Sequence, residues 1–394
     1  MAGTLTVDTI QSDSSYASTL NVASKINFAG GVQIGGQDTT FGGMRNRLIN
    51  GDMRIAQRGT SFSGLTDGYN STYALDRWGW QETGTSTGVQ TISQDTTSPP
   101  VGFINSLKVL TTTAHAVGSG NAYGIFQHIE GLNIADLDWG KATAKPITVS
   151  FWVKSSLTGT FSGSIKNGAN FDRSYVFNYT INSANTWEYK TITIPGDTTG
   201  TWPTDTGRGI MLLFDLGTGA TYQGTANTWT AGNLSSTSGS QSVVGTLNAT
   251  WNITGVQLEK GSAASAFEQL QYGHQLALCY RYFQSYTYTS GSVVLVGNTF
   301  GTAAGTFAFT FIMPMRTTPG TITIPTLGNG SGQWAVLNKA GGYPSTYGTM
   351  VTSSASPYQM RLDFSGMTSV FADGGMAVCL YASSSPVVTV SAEL

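Results

Sequence analysis

The stretch Pro146-Ile147-Thr148-Val149-Ser150-Phe151-Trp152-Val153-Lys154 alternates without a break. Ile147, Val149, Phe151 and Val153 fall on one side of an extended chain and Trp152 with Lys154 on the other, the period-two pattern of a strand with one buried face. Asn185-Thr186-Trp187-Glu188-Tyr189-Lys190-Thr191-Ile192-Thr193-Ile194-Pro195 predicts a second strand, closed by the turn Gly196-Asp197. Ile210-Met211-Leu212-Leu213-Phe214-Asp215 is a continuous apolar run of strand length, which predicts a central strand covered on both faces. Gly/Ser/Thr loops, Gly217 to Gly224 and Gly232 to Gly239, separate such runs. Long loops on a rigid sandwich are where binding usually resides.

Composition points the same way. In 394 residues there are 50 glycines and only 10% charged residues, the balance of an all-β chain with many turns. An aromatic content of 11% is too high for a disordered Gly/Ser/Thr chain. The length predicts two or three folded units. With a net charge of −2 and no run of Lys or Arg, the chain lacks the basic stripe that nucleic acid requires. No apolar stretch approaches the roughly 20 residues needed to cross a bilayer, and the N-terminus does not read as a signal peptide, so membrane insertion is not expected. Folding in a cytoplasm is. Cys279 and Cys379 are too few for a disulfide framework and read as small buried hydrophobes.

Four regions follow. Residues 1–45 carry short, lightly apolar strands around Leu5, Val7, Ile10, Leu20, Val22 and Ile26, too sparse to bury a core alone, and read as an arm for attachment or oligomerisation. Residues 46–262 form a β-sandwich. Within 263–285, Leu276, Cys279, Tyr280 and Phe283 recur at helical spacing and predict a short linking helix. Residues 286–394 return to β pattern as a smaller domain, in which Phe307, Phe309 and Phe311 make a one-sided aromatic row.

Several phrases resemble successive signatures of bacteriophage tail-fibre and related receptor-binding proteins. They are Asn46-Arg47-Leu48-Ile49-Asn50-Gly51-Asp52-Met53, Leu75-Asp76-Arg77-Trp78, Gly255-Val256-Gln257-Leu258-Glu259-Lys260-Gly261, Leu276-Ala277-Leu278-Cys279-Tyr280-Arg281-Tyr282-Phe283 and Pro314-Met315-Arg316-Thr317-Thr318-Pro319. The first and third look like the opening and closing strands of one sandwich. The resemblance implies a homotrimeric fibre on a virion, with a jelly-roll like that of carbohydrate-binding modules and a C-terminal β domain turned toward the host. It implies attachment to the tail or baseplate through residues 1–45, and host surface polysaccharide as the partner. A head or neck fibre of purely structural role is the alternative. Trimerisation is expected to bury the N-terminal strands and the apolar face of the 273–283 helix.

Glycan recognition needs aromatic faces that stack on sugar rings, with amides and carboxylates to fix hydroxyls. Of Trp78, Trp80, Trp139, Trp152, Trp187, Trp202, Trp229 and Trp251, most are expected in the core. Trp187 and Trp251 belong there by their position within strand runs. Trp202 with Asp205, Trp229 with Asn227, and Trp152 opposite the Val149/Phe151 face are the glycan-binding candidates. Asp52 and Glu259 are candidate ligands of a structural calcium if the two ends meet. No other cofactor is expected.

An enzyme is the competing class. Asp136 with Asp138, or Asp205 with Asp215, could be nominated as a glycosidase pair, yet their spacing suits turns and caps equally. His115, His128 and His274 lie in no serine-hydrolase motif. The expectation is a binding protein without catalysis.

Overall fold

The computed structural model describes residues 44–64, 72–299, 303–328, 331–337, 347–368, 377–382 and 385–394, together with positions 33–34 and 37–38. The arm expected over 1–45 falls largely outside these, as does the side chain of Cys379. Within the arm, β1 (Gln33–Ile34) pairs antiparallel with β2 (Gln37–Asp38).

The next strands are β3 (Ser61–Ser63), β4 (Thr72–Tyr73), β5 (Gly79–Thr83), β6 (Val89–Asp95), β7 (Ser106–Thr113) and β8 (Ala122–Glu130). They are followed by β9 (Ile147–Ser155), β10 (Gly159–Asn167), β11 (Arg173–Ile181), β12 (Glu188–Ile194), β13 (Arg208–Thr218), β14 (Trp229–Ala231) and β15 (Thr250–Lys260). They form two antiparallel sheets, one of seven strands in the order β14-β11-β10-β13-β8-β5-β4 and one of six in the order β12-β9-β15-β7-β6-β3. Ile147, Val149, Phe151 and Val153 are wholly buried between them, as their alternation requires. Phe151 meets Tyr179 and Phe214 of the facing sheet edge-on, at centroid separations of 5.2 and 5.0 Å. Such contacts add about 0.5–1.5 kcal/mol per pair to the burial of the rings. Strand β13 is central and covered twice: Ile210, Leu212 and Phe214 enter this core, while Met211 and Leu213 join Phe126 and Phe171 on the other face. The protein is an all-β sandwich here.

The opening segment is not a strand. Asn50 and Met53 hold φ of +59° and +60°, which breaks extended geometry. It is nevertheless stitched to β15: Arg47 N donates to Leu258 O at 2.8 Å, Val256 N to Gly51 O at 2.9 Å, and Asn46 Nδ2 to Val256 O at 3.0 Å. The two phrases meet through an irregular tie.

After the sandwich come α1 (Tyr272–Tyr280) and the strands β16 (Phe283–Thr287), β17 (Val293–Thr299), β18 (Gly305–Thr310), β19 (Thr321–Thr323), β20 (Trp334–Leu337), β21 (Thr349–Ala355), β22 (Gln359–Ser365), β23 (Ala377–Ala382) and β24 (Val387–Ser391). A six-stranded sheet, β20-β23-β17-β18-β22-β21, and a three-stranded sheet, β16-β24-β19, enclose a second core that holds Phe307, Phe309, Leu362, Val388 and Val390. The Phe307/Phe309/Phe311 row is buried as its spacing predicts. Helix α1 departs from expectation. Its Cys279, with Tyr282 beyond it, packs on Ile49 and Ile55 of the same chain, so part of the face expected at trimer contacts is covered within one molecule, while Leu276 and Tyr280 stay half-buried.

The two cores meet at a polar junction built from the sequence phrases singled out above. Arg77, 1% exposed, pairs with Glu393, donates to His128 O at 2.5 Å, and lies 3.7 Å from the centre of the Tyr282 ring. Arg58 donates to Glu393 at 2.9 Å and covers Phe283 at 3.6 Å. Arg281 grips Glu130 through two bonds of 2.9 and 2.6 Å, and Tyr282 Oη donates to the same carboxylate at 2.7 Å. Arg316 Nε donates to Ala392 O at 2.9 Å. Bidentate, charge-assisted bonds of this kind fix orientation.

Candidate functional site

The predicted site residues divide between the two sheets. At the β14 edge of the seven-stranded sheet, Trp202 and Trp229 do come together, but around Trp139. The three indoles meet edge-to-face at 4.6 Å (Trp139–Trp202), 5.3 Å (Trp139–Trp229) and 5.5 Å (Trp202–Trp229), and Tyr175 closes on Trp229 at 5.3 Å. Trp202 is only 7% exposed. Its Nε1 donates to Thr199 O at 3.1 Å and that of Trp229 to Pro195 O at 2.8 Å. The cluster is a local core that pins loops, so Trp202 presents no open face for a sugar; three mutually packed indoles bury one another more favourably than water can solvate them. Asp205 and Asn227 are exposed, but their visible roles are in the backbone. Asp205 Oδ1 accepts from Gly207 N at 2.8 Å in a tight turn, and Asn227 holds a φ of +61° while its N donates to Val176 O.

Asp52 and Glu259 are each engaged separately. Asp52 is paired with Arg54; burial pushes its carboxyl above the usual range, and Arg54 pulls the other way. Glu259 accepts from Gln257 Nε2 at 2.9 Å, Ser265 N at 2.8 Å and Ser265 Oγ at 2.7 Å. Glu259 is surrounded by hydrogen-bond donors, Asp52 faces the Arg54 guanidinium with its Oδ1 buried and unbonded, and among the described residues no group of three or more His, Cys, Asp or Glu could hold a metal ion. As disposed, these residues do not fit calcium, which wants six to eight oxygens.

The nominated acid pairs are likewise occupied. Asp136 takes Arg47 and Lys260, and Asp138 takes Lys141. Asp215 is buried and accepts from Thr218, Ser236, Ser240 and Gly217; burial raises its carboxyl against the pull of these bonds. His128 is enclosed between Phe126 and Phe171 with neither ring nitrogen bonded. Burial, with Arg208, Arg77 and Lys166 nearby, holds its pKa far below the ordinary value.

The outward face of the six-stranded sheet is different. Because Phe151 and Val153 point into the core, Trp152 and Lys154 point out. Trp152 stands opposite Tyr189 of β12 on one side and Thr254 of β15 on the other. The Trp152 and Tyr189 rings lie 5.3 Å apart at 49°, and Tyr189 is 44% exposed. One row along, Asn252 stands between Lys108 of β7 and Lys154 of β9, and Lys108 faces Ser93 of β6. The Lys154 ammonium lies 4.9 Å from the centre of the Trp187 ring. Trp187 is thus on this outer face, half-buried, where its strand run had suggested core; its Nε1 donates to Ser98 O of the β6–β7 loop at 2.8 Å. Phe103 of that loop packs over Gly255 and against Phe267 at 5.2 Å. Gly255 has a φ of +61°, and a side chain there would strike the Phe103 ring. The face combines stackable rings, ammonium donors, and a loop laid across a rigid floor. Trp152 was legible in the sequence; Tyr189, Trp187, Lys108 and Asn252 were not, since only strand register sets them side by side.

No protein-family model matches the chain, and no curated protein does. Among solved structures, the enzymatically active domain of tailspike protein 4 from bacteriophage CBA120 matches at 14% identity over 55% of this chain and 21% of that one, with a TM-score of 0.28. The CBM22-1 xylan-binding domain of Paenibacillus barcinonensis Xyn10C matches at 12% identity over 52% of this chain and 95% of its own, with a TM-score of 0.26. A family 11 carbohydrate-binding module from Clostridium thermocellum, in complex with a mixed-linked tetrasaccharide, matches at 14% identity over 54% and 99%, with a TM-score of 0.25. At identities and scores this low, the all-β assignment rests on this chain's own strands.

Proposed function

We propose that the chain is a non-enzymatic fibre protein of a bacteriophage virion that binds host surface polysaccharide without cleaving it. The observation that carries the binding reading is the outward Trp152–Tyr189 pair, half-open rings on a rigid sheet beside two lysines. Sugar rings offer apolar C–H faces to such aromatics and hydroxyls to such donors, and an exposed aromatic surface rimmed by polar groups is the usual mark of a binding face. The fibre reading is supported by the resemblance of the five sequence phrases, which here build the tie to β15 and the junction between the two cores. In this reading the chain divides at 46, 263 and 286, assembles as a homotrimer, and docks on the tail or baseplate through residues 1–45. The C-terminal sheet supports an assembly: Val296 is 64% and Val351 54% exposed on its strands.

The test is retention of host surface polysaccharide on immobilised protein, with reducing ends and free acetate measured in parallel. Retention without release is expected. Trp152→Ala and Tyr189→Ala should each weaken it by roughly tenfold, with melting temperature checked for both. New reducing ends would turn the reading to an enzyme, and absence of any adsorption to a structural fibre of the head or neck.

A further inference from the structure

The row Ser93, Lys108, Asn252, Lys154 crosses four adjacent strands on the face that bears Trp152 and Tyr189. Ten ion pairs join cations to carboxylates among the described residues, and neither Lys108 nor Lys154 takes part in any of them. In a chain whose net charge is −2, Lys154 stands on this face without a carboxylate, and Lys108 feels the charge of Asp95 without forming an ion pair with it. The carboxylates near the row are hydrogen-bonded, and at Asp95 the effect of burial is outweighed by the Thr97 bonds and the charge of Lys108, which hold its carboxyl below the ordinary value. Asp95 accepts from Thr97 N at 2.8 Å and from Asn252 Nδ2 at 3.1 Å, and Glu188 takes Lys190, Asn182 and Ser183.

The geometry suits a chain of sugars. With neighbouring strands about 4.8 Å apart, Lys108 and Lys154 stand roughly 10 Å from each other across β15, a separation of the order of one disaccharide. Between them Asn252 is buried, its amide bonded to Asp95 and Ser106, so that it braces the row beneath the ligand, and Trp152 adjoins Lys154 two residues along the same strand, on the same side of the sheet. Lys154 is also held in place, since its ammonium rests over Trp187 and keeps its remaining donors for a ligand. Lysines act as point charges, and there is no arginine fork in the row to clamp a phosphate from two sides. Isolated monoanions, one per repeat, match this arrangement.

We infer that this face selects an acidic polysaccharide, with carboxylate substituents of successive repeats paired to Lys108 and Lys154 while a sugar ring stacks on Trp152 and Tyr189. This rests on the glycan-binding reading above and narrows it to a charge class.

The test uses the full chain, immobilised, and a panel of purified bacterial capsular polysaccharides, each supplied in native form and after chemical reduction of its carboxyl groups. Acidic polymers should be retained, retention should fall with added salt, and carboxyl reduction should lower it by roughly tenfold or more. Lys108→Gln and Lys154→Gln should each weaken the native polymer by a larger factor than its reduced form, with circular dichroism and melting confirming the fold. Trp152→Ala should weaken both forms. Equal retention of native and reduced polymers, or preference for neutral ones, would overturn the charge assignment and leave glycan binding standing. Retention of no polymer would remove both.

Discussion

Gly51 shows how one residue decides the path of the chain. A Cβ at this position would lie 2.2 Å from Val256 O, so only glycine lets the opening segment lie against β15. Gly51→Ala is expected to destabilise the sandwich by about 2 kcal/mol or more, read as a lower denaturant midpoint. Lys166 makes a different prediction. It is fully buried on β10, donating to Asn233 Oδ1 at 2.7 Å and Ser235 Oγ at 2.8 Å, and burial pulls its pKa down to about 7 despite the attraction of Asp215. Its ordinary value is 10.5, so between these limits the unfolded chain holds a proton that the folded chain has released. Stability should therefore rise as pH climbs from 7 toward 10.5, and the penalty is complete below 7. Lys166→Met should flatten that slope when unfolding is followed by denaturant titration at successive pH values.

At the scale of elements, the junction is the informative case. Arg77, Arg281 and Arg316 come from phrases that look unrelated along the chain, and Arg58 from the segment between two of them, yet they close on Glu393, Glu130 and the carbonyl of Ala392. Arg77 is stripped of water, and its charge is answered by Glu393. Glu393→Ala should cost about 3–5 kcal/mol by leaving that guanidinium buried without a carboxylate, whereas Arg361→Ala, removing an exposed pair, should cost less than about 1 kcal/mol. Thermal unfolding of the two variants compares them directly. Helix α1 belongs to the same scale. Its periodicity was readable, but its partner was not: the sequence pattern says that Cys279 faces something apolar, and only the fold supplies Ile49 and Ile55.

For the whole molecule, the homotrimer proposal predicts three times the chain mass in light scattering at micromolar concentration. A stable monomer would remove it. Imaging virions with a label at residues 1–45 would show which end is bound to the particle and which is free.

The sequence by itself determined the all-β class, the strands with strict alternation, the buried Phe307/Phe309/Phe311 row and the outward side of Trp152, because a period of two depends on nothing beyond the local chain. Tertiary structure alone decided the rest. Trp202 sits in a loop and Trp229 opens the three-residue strand β14, too short to carry a period, so nothing local says that both fold onto Trp139. Asp52 and Glu259 looked like a pair on adjoining phrases, but a carboxylate takes whichever donor is nearest in space, here Arg54 for one and Ser265 for the other. The face shared by Trp152, Tyr189, Lys108 and Lys154 exists because of register between strands far apart in the chain, set by how the two sheets pair and pack.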